Sequence, residues 1–408
     1  MLAGIAALAS EAVPLARALG RVLARDVISP VSLPPWDNAS MDGFAVRGAD
    51  VMGASAERPV RLRVVEVIAA GRRGTRRIGA GEASRIMTGA PVPDGADSVV
   101  RVEDTDSTTG GDVVAVRDDR DALRNVRLRG EDVRADSVVL AAGTAIGPAH
   151  AGVLASVGCA TPLVHRRPRV AILATGDELV PLERFEEVRT GDRIVSSNSY
   201  SLEAAVMAAG GEPVPLGIAP DEPGALAKSL RGAEGCDLVL TSGGVSVGDF
   251  DYTREVVCAL GGELSLWRVR MRPGAPLGFG RLFGVPWLGL PGNPVSALVT
   301  FELFARPLLR VLAGHRRPHR GVVHVTLQDD VQLAAPLTHY LRAVLVSEPG
   351  GAILASLTGP QSSGMLTSMA AADALVVISG EQLTIPRGTI VPAIPLDGDL
   401  KGSDRFPG

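Results

Sequence analysis

Cysteine is scarce in this sequence. Its 408 residues include three, Cys159, Cys236 and Cys258, and no two of them form a Cys-x-x-Cys pair. That spacing indicates neither a disulfide framework nor a zinc site built on paired thiolates. Thiols that stay reduced are typical of cytoplasmic proteins, so we expect a cytoplasmic location.

Concentrated positive charge is also missing. The formal net charge is −4, whereas binding of nucleic acid requires a clustered excess of Lys and Arg. No uncharged apolar run is long enough to span a bilayer, and the apolar N-terminus starts without the basic residues of a secretory signal. We therefore expect a chain that binds neither nucleic acid nor membrane.

Several common catalytic motifs are absent as well. The sequence contains no Gly-Lys-Ser and no His-Glu-x-x-His, and its Gly-x-Ser-x-Gly run, residues 244–248, lies inside a longer glycine-rich loop. The two absences argue against a P-loop NTPase and a zinc protease. Aromatic residues make up 3% of the chain and hydrophobic residues 46%, so the cores must be built mainly from Ala, Val and Leu.

A chain of this length exceeds what one core usually fills, and roughly two to four domains are expected. Apolar spacing predicts an amphipathic helix within residues 1–30, and a shorter helix at His150–Val157 that packs with it. Residues 1–30 and 141–167 would then form a discontinuous helical linker domain. Short β-rich runs predict a β module over 31–140 and a small β domain over 315–408.

Residues 168–314 alternate strands with helices. The predicted strands are Val170–Ala174, Val214–Ile218, Leu238–Leu240 and Pro286–Leu290. The predicted helices are Ser199–Ala209, Ala225–Arg231, Tyr252–Leu260 and Val295–Leu312. This alternation predicts parallel strands joined by right-handed helical crossovers, with ligands beyond the carboxyl ends of the strands. The fold class is therefore multidomain α/β plus β, with a doubly wound α/β domain at its centre.

Three loops follow predicted strands of that central domain. They are Thr175-Gly176-Asp177-Glu178, Thr241-Ser242-Gly243-Gly244-Val245-Ser246-Val247-Gly248 and Leu290-Pro291-Gly292-Asn293-Pro294. Glycine lets backbone approach a ligand closely, and exposed N–H groups attract anions. Each loop alone could be an ordinary turn, but three at one sheet edge favour a phosphate or oxyanion site.

Charged side chains gather at the same predicted edge. Five acids stand there, and as a set they favour a hard cation such as Mg²⁺ beside a phosphate: Asp177, Glu178, Asp221, Asp249 and Asp251. Arg268 and Arg272 follow, and the planar guanidinium suits a tetrahedral oxyanion. The alternatives are solvated surface acids and a surface hairpin. Physical reasoning from these residues stops short of naming a substrate.

Five motifs, in order and spacing, resemble the MoeA family of molybdenum-cofactor biosynthesis. They are Pro34-Pro35-Trp36-Asp37-Asn38 through Val46, Met87-Thr88-Gly89-Ala90-Pro91, Thr175-Gly176-Asp177-Glu178-Leu179, Ser242-Gly243-Gly244-Val245-Ser246 through Tyr252, and Leu290-Pro291-Gly292-Asn293-Pro294. The resemblance runs from about Glu11 to Pro395. It implies an elongated homodimer of four-domain subunits, with a three-layer middle domain similar to the molybdopterin adenylyltransferases and a C-terminal domain like a β-barrel.

The resemblance also implies the reaction. Molybdate would be inserted into adenylylated molybdopterin, with release of AMP, by a Mg²⁺-dependent transferase that also meets other proteins of the same biosynthesis. Two rivals remain: a molybdopterin adenylyltransferase, because the middle fold is shared, and a non-catalytic scaffold of the same fold. Tungstate could replace molybdate, since the two oxyanions are nearly equal in size and charge.

Residue roles carried over from the family fall into three groups. Molybdate would meet Ser246, Arg272 and Arg268 from the middle domain, and Arg342 and Ser368 from the C-terminal domain. Asp251, Glu178 and Asp221 would bind Mg²⁺ or orient the nucleotide. The phosphate path would be lined by Gly243, Gly244, Pro291, Asn293 and Pro294. From the β module, a neighbouring subunit's pocket would be reached by Asp42, Thr88 and Asp132.

One departure from the family bears on molybdate. The family's Lys-Pro-Gly-Lys-Pro stands here as Arg272-Pro273-Gly274-Ala275-Pro276. The second lysine is therefore lost at Ala275, which removes one positive charge from the expected oxyanion site. Arg272 and Arg268 could partly offset that loss.

Overall fold

The computed structural model describes residues 1–106, 111–244, 252–348, 350–380 and 382–396. Ser246 and Asp251 lie outside these ranges. The chain divides into two compact units. The first comprises Met1–Arg25, Gly143–Pro148 and Thr161–Gly408, and the second Asp26–Ala142 and Ala149–Ala160. In the part of the chain that the structure describes, no helix is long and apolar enough to cross a membrane.

The second unit is built on a five-stranded sheet, in accord with the expected β module. Its strands, in spatial order, are Ser98–Arg101, Gly43–Val46, Glu82–Ile86, Val60–Ile68 and Val113–Val116. Phe44 and Val46 pack on one face of the sheet, and Ala45 on the other. This alternation follows from the two-residue period of a strand. Both faces are covered, which explains why all four residues of the strand Gly43–Val46 are buried.

Shorter elements complete the second unit. Two strand pairs join Val27–Ile28 to Val138–Leu140 and Asn38–Ala39 to Val126–Arg127. Its helical segments are Gly48–Val51 and the 3-10 turn Val102–Asp104. A further helix, Pro148–Ser156, confirms the short helix predicted near His150.

The helix predicted within residues 1–30 is wrong. The segment forms the strand Ser10–Ala12, which pairs with Leu163–His165, and the 3-10 turn Leu15–Arg17. Leu23 is buried by bridging to Val164. The apolar spacing fitted a helix, but a distant strand supplies the burial instead, and tertiary pairing overrides local propensity. The helical linker domain therefore lacks the N-terminal helix on which its prediction rested.

The first unit contains a six-stranded central sheet. Its strands, in spatial order, are Glu212–Ala219, Arg169–Thr175, Leu238–Ser242, Val285–Leu290, Pro276–Leu282 and Glu263–Arg268. The first four are parallel, as predicted from the strand and helix alternation. The last two are antiparallel and add an edge that the alternation did not predict. A short parallel pair, Leu179–Val180 with Ile194–Val195, and the helical segments Leu182–Arg184 and Glu186–Arg189 lie beyond the strand Arg169–Thr175.

Helices cover both faces of this sheet and make three layers. Ile172 faces a core that includes Leu202 of the helix Ser197–Ala208 and Leu309 of the helix Arg306–Leu312. Leu173, the next residue in the same strand, faces a core with residues from the helices Pro223–Arg231 and Thr253–Ala259. The doubly wound architecture predicted from the sequence is confirmed.

The last helix of this region is not continuous. The predicted helix over residues 295–312 is divided into Pro294–Thr300, the π-helical turn Phe301–Ala305 and Arg306–Leu312. Pro307 cannot donate a backbone hydrogen bond to residue 303, so the regular α-helical register cannot pass through this point. The Arg306 N–H instead donates to the Phe301 carbonyl, five residues back.

The C-terminal part of the first unit is a closed five-stranded barrel, as expected. Its strands are Val323–Leu327, Thr338–Ser347, Ile353–Leu357, Ala374–Ile378 and Ile390–Pro395. Pairing of Thr338–Ser347 with Ala374–Ile378 closes the ring. The strand Met271–Arg272 adds to its outside. A small pair, Val331–Gln332 with Thr384–Ile385, and the helix Leu366–Ala370 complete the region.

Candidate functional site

Loops at the carboxyl ends of three parallel strands enclose a cavity of about 690 Å³, called here the edge pocket. The strands are Arg169–Thr175, Leu238–Ser242 and Val285–Leu290. Parallel strands end at the same edge of a sheet, so residues far apart in sequence meet there. The predicted site residues in its lining are Glu178, Asp221, Gly243, Gly244, Pro291, Asn293 and Pro294.

Gly243 and Gly244 form a backbone wall of the edge pocket. Their φ angles are +94° and +62°, which a residue with a side chain rarely adopts. A Cβ atom at Gly243 would stand 2.5 Å from the Thr175 carbonyl oxygen, and one at Gly244 would collide with Thr253 Oγ1. Glycine is therefore required at both positions for this loop to pass so close to its neighbours.

Buried polar atoms without partners collect near this edge. Within the described residues, Thr175 Oγ1, Asn198 Oδ1, Thr241 Oγ1 and Thr253 Oγ1 have no hydrogen-bond partner. Thr175, Asn198 and Thr241 all belong to elements that end or begin at this sheet edge. Most buried polar atoms in proteins are paired, so a concentration of exceptions is typical of a binding site.

Negative charge gathers in the described part of the edge pocket. Burial, together with the nearby carboxylates of Asp177 and Glu178, raises the pKa of Asp221. Asp177 is itself held in place, because its Oδ1 accepts a hydrogen bond from the Asp221 N–H at 3.1 Å. A cation near Asp221 and Glu178 would offset this repulsion, and carboxylate oxygens are the ligands that Mg²⁺ prefers. The acids present therefore fit the expected metal.

The structure brings together two of the three predicted metal ligands. Glu178 and Asp221 both line the edge pocket, whereas Asp251 belongs to the segment 245–251 outside the described residues. In the described ranges, no group of three or more His, Cys, Asp or Glu side chains is arranged to hold a metal ion. The predicted third acid is thus the one that the segment 245–251 would have to supply.

A second cavity, of about 730 Å³, lies beside the barrel and is called here the barrel pocket. Arg272 and Ala275 line it on one side, and Ser362 and Ser363 on another. Pro276, Pro291 and Asn293 line both pockets, so the two cavities adjoin. Arg268, the other predicted arginine, is exposed at a strand end and lines neither of these two cavities.

Arg342 and Ser368 are buried behind the wall of the barrel pocket. The Arg342 Nε donates to Ser368 Oγ at 2.8 Å, and Nη2 donates to the carbonyls of Pro360 and Ser362, each at 3.1 Å. Nη1 donates to the Gln361 carbonyl at 3.4 Å. Burial lowers the pKa of Arg342. Neither Arg342 nor Ser368 lines the two cavities, so their contact with molybdate stays a prediction.

The second unit carries the other predicted site residues. Thr88 donates to Asp42 Oδ1 twice, from its hydroxyl and from its backbone N–H, each at 2.7 Å. These two hydrogen bonds lower the pKa of Asp42. Asp42, Thr88 and Asp132 are all exposed. The first two thus form a preorganised, charged pair on the surface of this unit.

Comparison with known proteins bears on all parts of the chain. Family models match residues 1–158 (MoeA N-terminal region, domains I and II), 171–311 (probable molybdopterin binding domain) and 324–396 (MoeA C-terminal region, domain IV). Molybdopterin molybdenumtransferase 2 of Mycobacterium tuberculosis is 40% identical over 387 residues, which is 92% of this chain and 93% of that protein. The chain belongs to the MoeA family.

Other relatives agree with this assignment. A molybdopterin molybdenumtransferase of Nostoc is 38% identical over 392 residues, covering 95% of this chain and 89% of its own. The crystal structure of a molybdopterin biosynthesis MoeA protein from Pyrococcus horikoshii superposes with a TM-score of 0.81 at 30% identity. It covers 96% of each chain. The fold described above is thus the MoeA fold.

One part of the edge pocket was missed by reasoning from sequence. Ser196, Ser197 and Asn198 line it from the start of the helix Ser197–Ala208, although no motif singled them out. The signal that could have found them is their position, because a Ser-Ser-Asn run stands just before a predicted helix, where polar side chains cap or face a cavity. In this MoeA chain Asn198 donates hydrogen bonds to Ser242 and to the Gly292 carbonyl.

Proposed function

We propose that this chain is a molybdopterin molybdenumtransferase, which inserts molybdate into adenylylated molybdopterin and releases AMP. The observation that carries the proposal is the edge pocket, where a glycine wall and the acids Glu178 and Asp221 meet at the carboxyl ends of the parallel strands. Relatives at 33% to 40% identity bear the name of this activity. Its reduced cysteines suit a cytoplasmic enzyme.

The nucleotide end of the substrate is assigned to the edge pocket. Gly243 and Gly244 let the loop pass close to Thr175 and Thr253, and their backbone lines the pocket in which the phosphate would bind. Glu178, Asp221 and Asp251 would hold Mg²⁺, and this ion would supply positive charge against the phosphate oxygens. The acids alone would repel that phosphate, so we expect binding of the nucleotide to depend on the metal.

Molybdate is assigned to the adjoining barrel pocket. Arg272 presents a guanidinium to that cavity, and Ser246 is expected to contribute from the segment 245–251. Because Pro276, Pro291 and Asn293 line both pockets, one bound substrate could extend from its nucleotide in the first to its dithiolene in the second. Arg342 and Ser368 would support this oxyanion site from behind its wall.

A turnover assay tests the proposed function. Purified protein is supplied with adenylylated molybdopterin, Mg²⁺ and molybdate, and AMP release and molybdenum in the pterin fraction are followed together. We expect both to appear in equal amounts and both to require the protein. Adenylylation of molybdopterin by ATP would instead support an adenylyltransferase. Absence of both reactions would support a scaffold. Tungstate in place of molybdate measures the oxyanion preference.

We also propose a homodimer in which Asp42, Thr88 and Asp132 of one subunit complete the pocket of its partner. Thr88→Trp and Asp251→Asn chains should each be inactive alone. Refolded together at random, half of the dimers are mixed, and each mixed dimer has one pocket with both changes and one with neither. About a quarter of wild-type sites should therefore be recovered. No recovery, with mixed dimers verified by mass spectrometry, would place the whole pocket within one chain.

A further inference from the structure

Asn198 is a buried polar residue beneath the edge pocket. It is the second residue of the helix Ser197–Ala208, and 7% of it is exposed. Its Nδ2 donates two hydrogen bonds, to Ser242 Oγ at 2.8 Å and to the Gly292 carbonyl at 2.7 Å. One amide group thereby contacts two different loops of the pocket.

The two loops are those on which the proposed function depends. Ser242 immediately precedes the Gly243-Gly244 wall, and Gly292 immediately precedes Asn293 and Pro294. The two loops also contact each other directly, since the Gly243 N–H donates to the Leu290 carbonyl at 3.1 Å. That contact belongs to the sheet edge itself, whereas Asn198 reaches the loops from a separate helix. The side chain therefore fixes how far each loop stands from the helix that forms the third wall.

We propose that Asn198 is a positioning residue of the transferase. Its two amide N–H groups hold the glycine wall and the loop 291–294 in the spacing that accepts the phosphate link of the substrate. The proposal rests on the proposed function, because it assigns the purpose of this spacing to that substrate. Asn198 itself acts through Ser242 and Gly292, and its own Nδ2 atom has both hydrogens engaged within the chain.

Asn198→Asp tests the proposal by removing donors at almost constant size. The introduced carboxylate would face the Gly292 carbonyl oxygen, so repulsion replaces a hydrogen bond. We expect kcat/KM for AMP release to fall roughly 10- to 100-fold at pH 8. Protonation of the buried carboxyl at lower pH restores one donor toward Gly292, so the deficit relative to wild type should shrink as pH falls. Glu178 and Asp221 line the same pocket in both proteins, so the ratio to wild type isolates the introduced group.

Two further variants separate positioning from folding. Ser201→Ala removes a hydroxyl that donates to the Asn198 carbonyl at 3.3 Å on the same helix and contacts neither loop, so its kinetics should match wild type. Asn198→Ala should lose activity by a factor that does not change with pH. Melting temperatures of all three variants, compared with wild type, report the change in folding stability.

A pH-dependent deficit in Asn198→Asp alone supports the positioning role. A deficit that is absent, or equal at all pH values to that of Asn198→Ala, overturns it. If Asn198→Asp does not fold, the pair Asn198→Ala and Ser242→Ala decides: the double variant should lose less than the product of the two single losses, and a simple product overturns the proposal. A wild-type protein that releases no AMP contradicts the proposed function instead.

Discussion

The edge pocket and the surroundings of Arg342 differ in how far their buried polar groups are paired by hydrogen bonds. At the edge, the hydroxyls of Thr175 and Thr253 have no hydrogen-bond partner among the described residues, and the pKa of Asp221 is raised by burial and neighbouring carboxylates. Around Arg342, four donations from one guanidinium satisfy Ser368 and three carbonyls. Both regions lie in the first unit and both contain predicted site residues.

This difference distinguishes groups that bind a ligand from groups that stabilise the fold. A folded chain normally pairs its buried polar groups, so unpaired ones indicate that a ligand completes the arrangement. Paired groups stabilise the fold whether or not a ligand is bound. Substitutions at the edge should therefore lower activity with little loss of stability, and substitutions at Arg342 should lower stability first.

The largest effect is expected for Arg342→Met. The thioether fills part of the volume but leaves three carbonyls without this donor and the Ser368 hydroxyl with Thr358 as its remaining partner, which should lower the free energy of unfolding by about 3 to 5 kcal/mol. Urea denaturation with and without the substitution measures the change. Arg387 is exposed and bonds to Gln328, so Arg387→Met should shift stability by less than about 0.5 kcal/mol. Equal stability in the two variants would show that Arg342 does not support the fold.

Asp221→Asn should separate the two properties most clearly. Loss of a carboxylate from the expected metal site should lower turnover about 100-fold. The melting temperature at pH 7 should stay the same or rise, because ionised Asp221 is repelled by Asp177 and Glu178 in the folded chain. Since its folded pKa is raised, this stability cost arises as pH increases through the folded pKa and is absent in acid.

Glu183→Gln is the matched control for that substitution. Glu183 is an exposed acid on the nearby turn Leu182–Arg184 and does not line the edge pocket. Its turnover should equal that of wild type. A marked fall in the melting temperature of Asp221→Asn, with turnover retained, would mean that Asp221 stabilises the fold and does not serve the reaction.

Added Mg²⁺ should stabilise the wild-type protein. At a concentration about ten times Kd, a ligand that binds only the folded state contributes about 1.4 kcal/mol. The melting temperature should therefore rise with Mg²⁺ in wild type but not in the double variant Glu178→Gln and Asp221→Asn. An equal rise in both proteins would place the cation elsewhere.

The smallest effect is expected for Ala275→Lys, which returns the family's lysine to the barrel pocket. Its positive charge should lower the apparent KM for molybdate about threefold at low ionic strength and less in high salt. Ala275→Gln adds a side chain without the charge and serves as control. A KM that is unchanged or higher in the lysine variant would mean that Arg272 already supplies the positive charge that molybdate binding requires.

The sequence allowed correct predictions where the order of strands and helices determines which loops meet. Glu178, Gly243 and Asn293 could be predicted to meet because each follows a strand of a parallel sheet. Closure of the barrel was expected from the resemblance, while the pairing of Thr338–Ser347 with Ala374–Ile378 became known from the structure. Such pairings depend on contacts between segments distant in sequence, which local patterns do not encode.

The failures have physical causes of the same kind. Leu15, Leu19 and Leu23 have helical spacing, but Leu19 is exposed and Leu23 is buried by bridging to Val164, 141 residues later. Burial of Arg342 could not be read from its strand, because its partners are carbonyls of the loop 360–362. Asn198 was missed since its role depends on loops that follow 44 and 94 residues later.

A crystal structure with AMP and Mg²⁺ bound tests the central claim most directly. The account predicts the AMP phosphate against the backbone of Gly243 and Gly244, with the metal beside Glu178 and Asp221. It also predicts that Thr175 or Thr253 gains a hydrogen-bond partner there. AMP bound in the barrel pocket, or away from both cavities, would contradict the account.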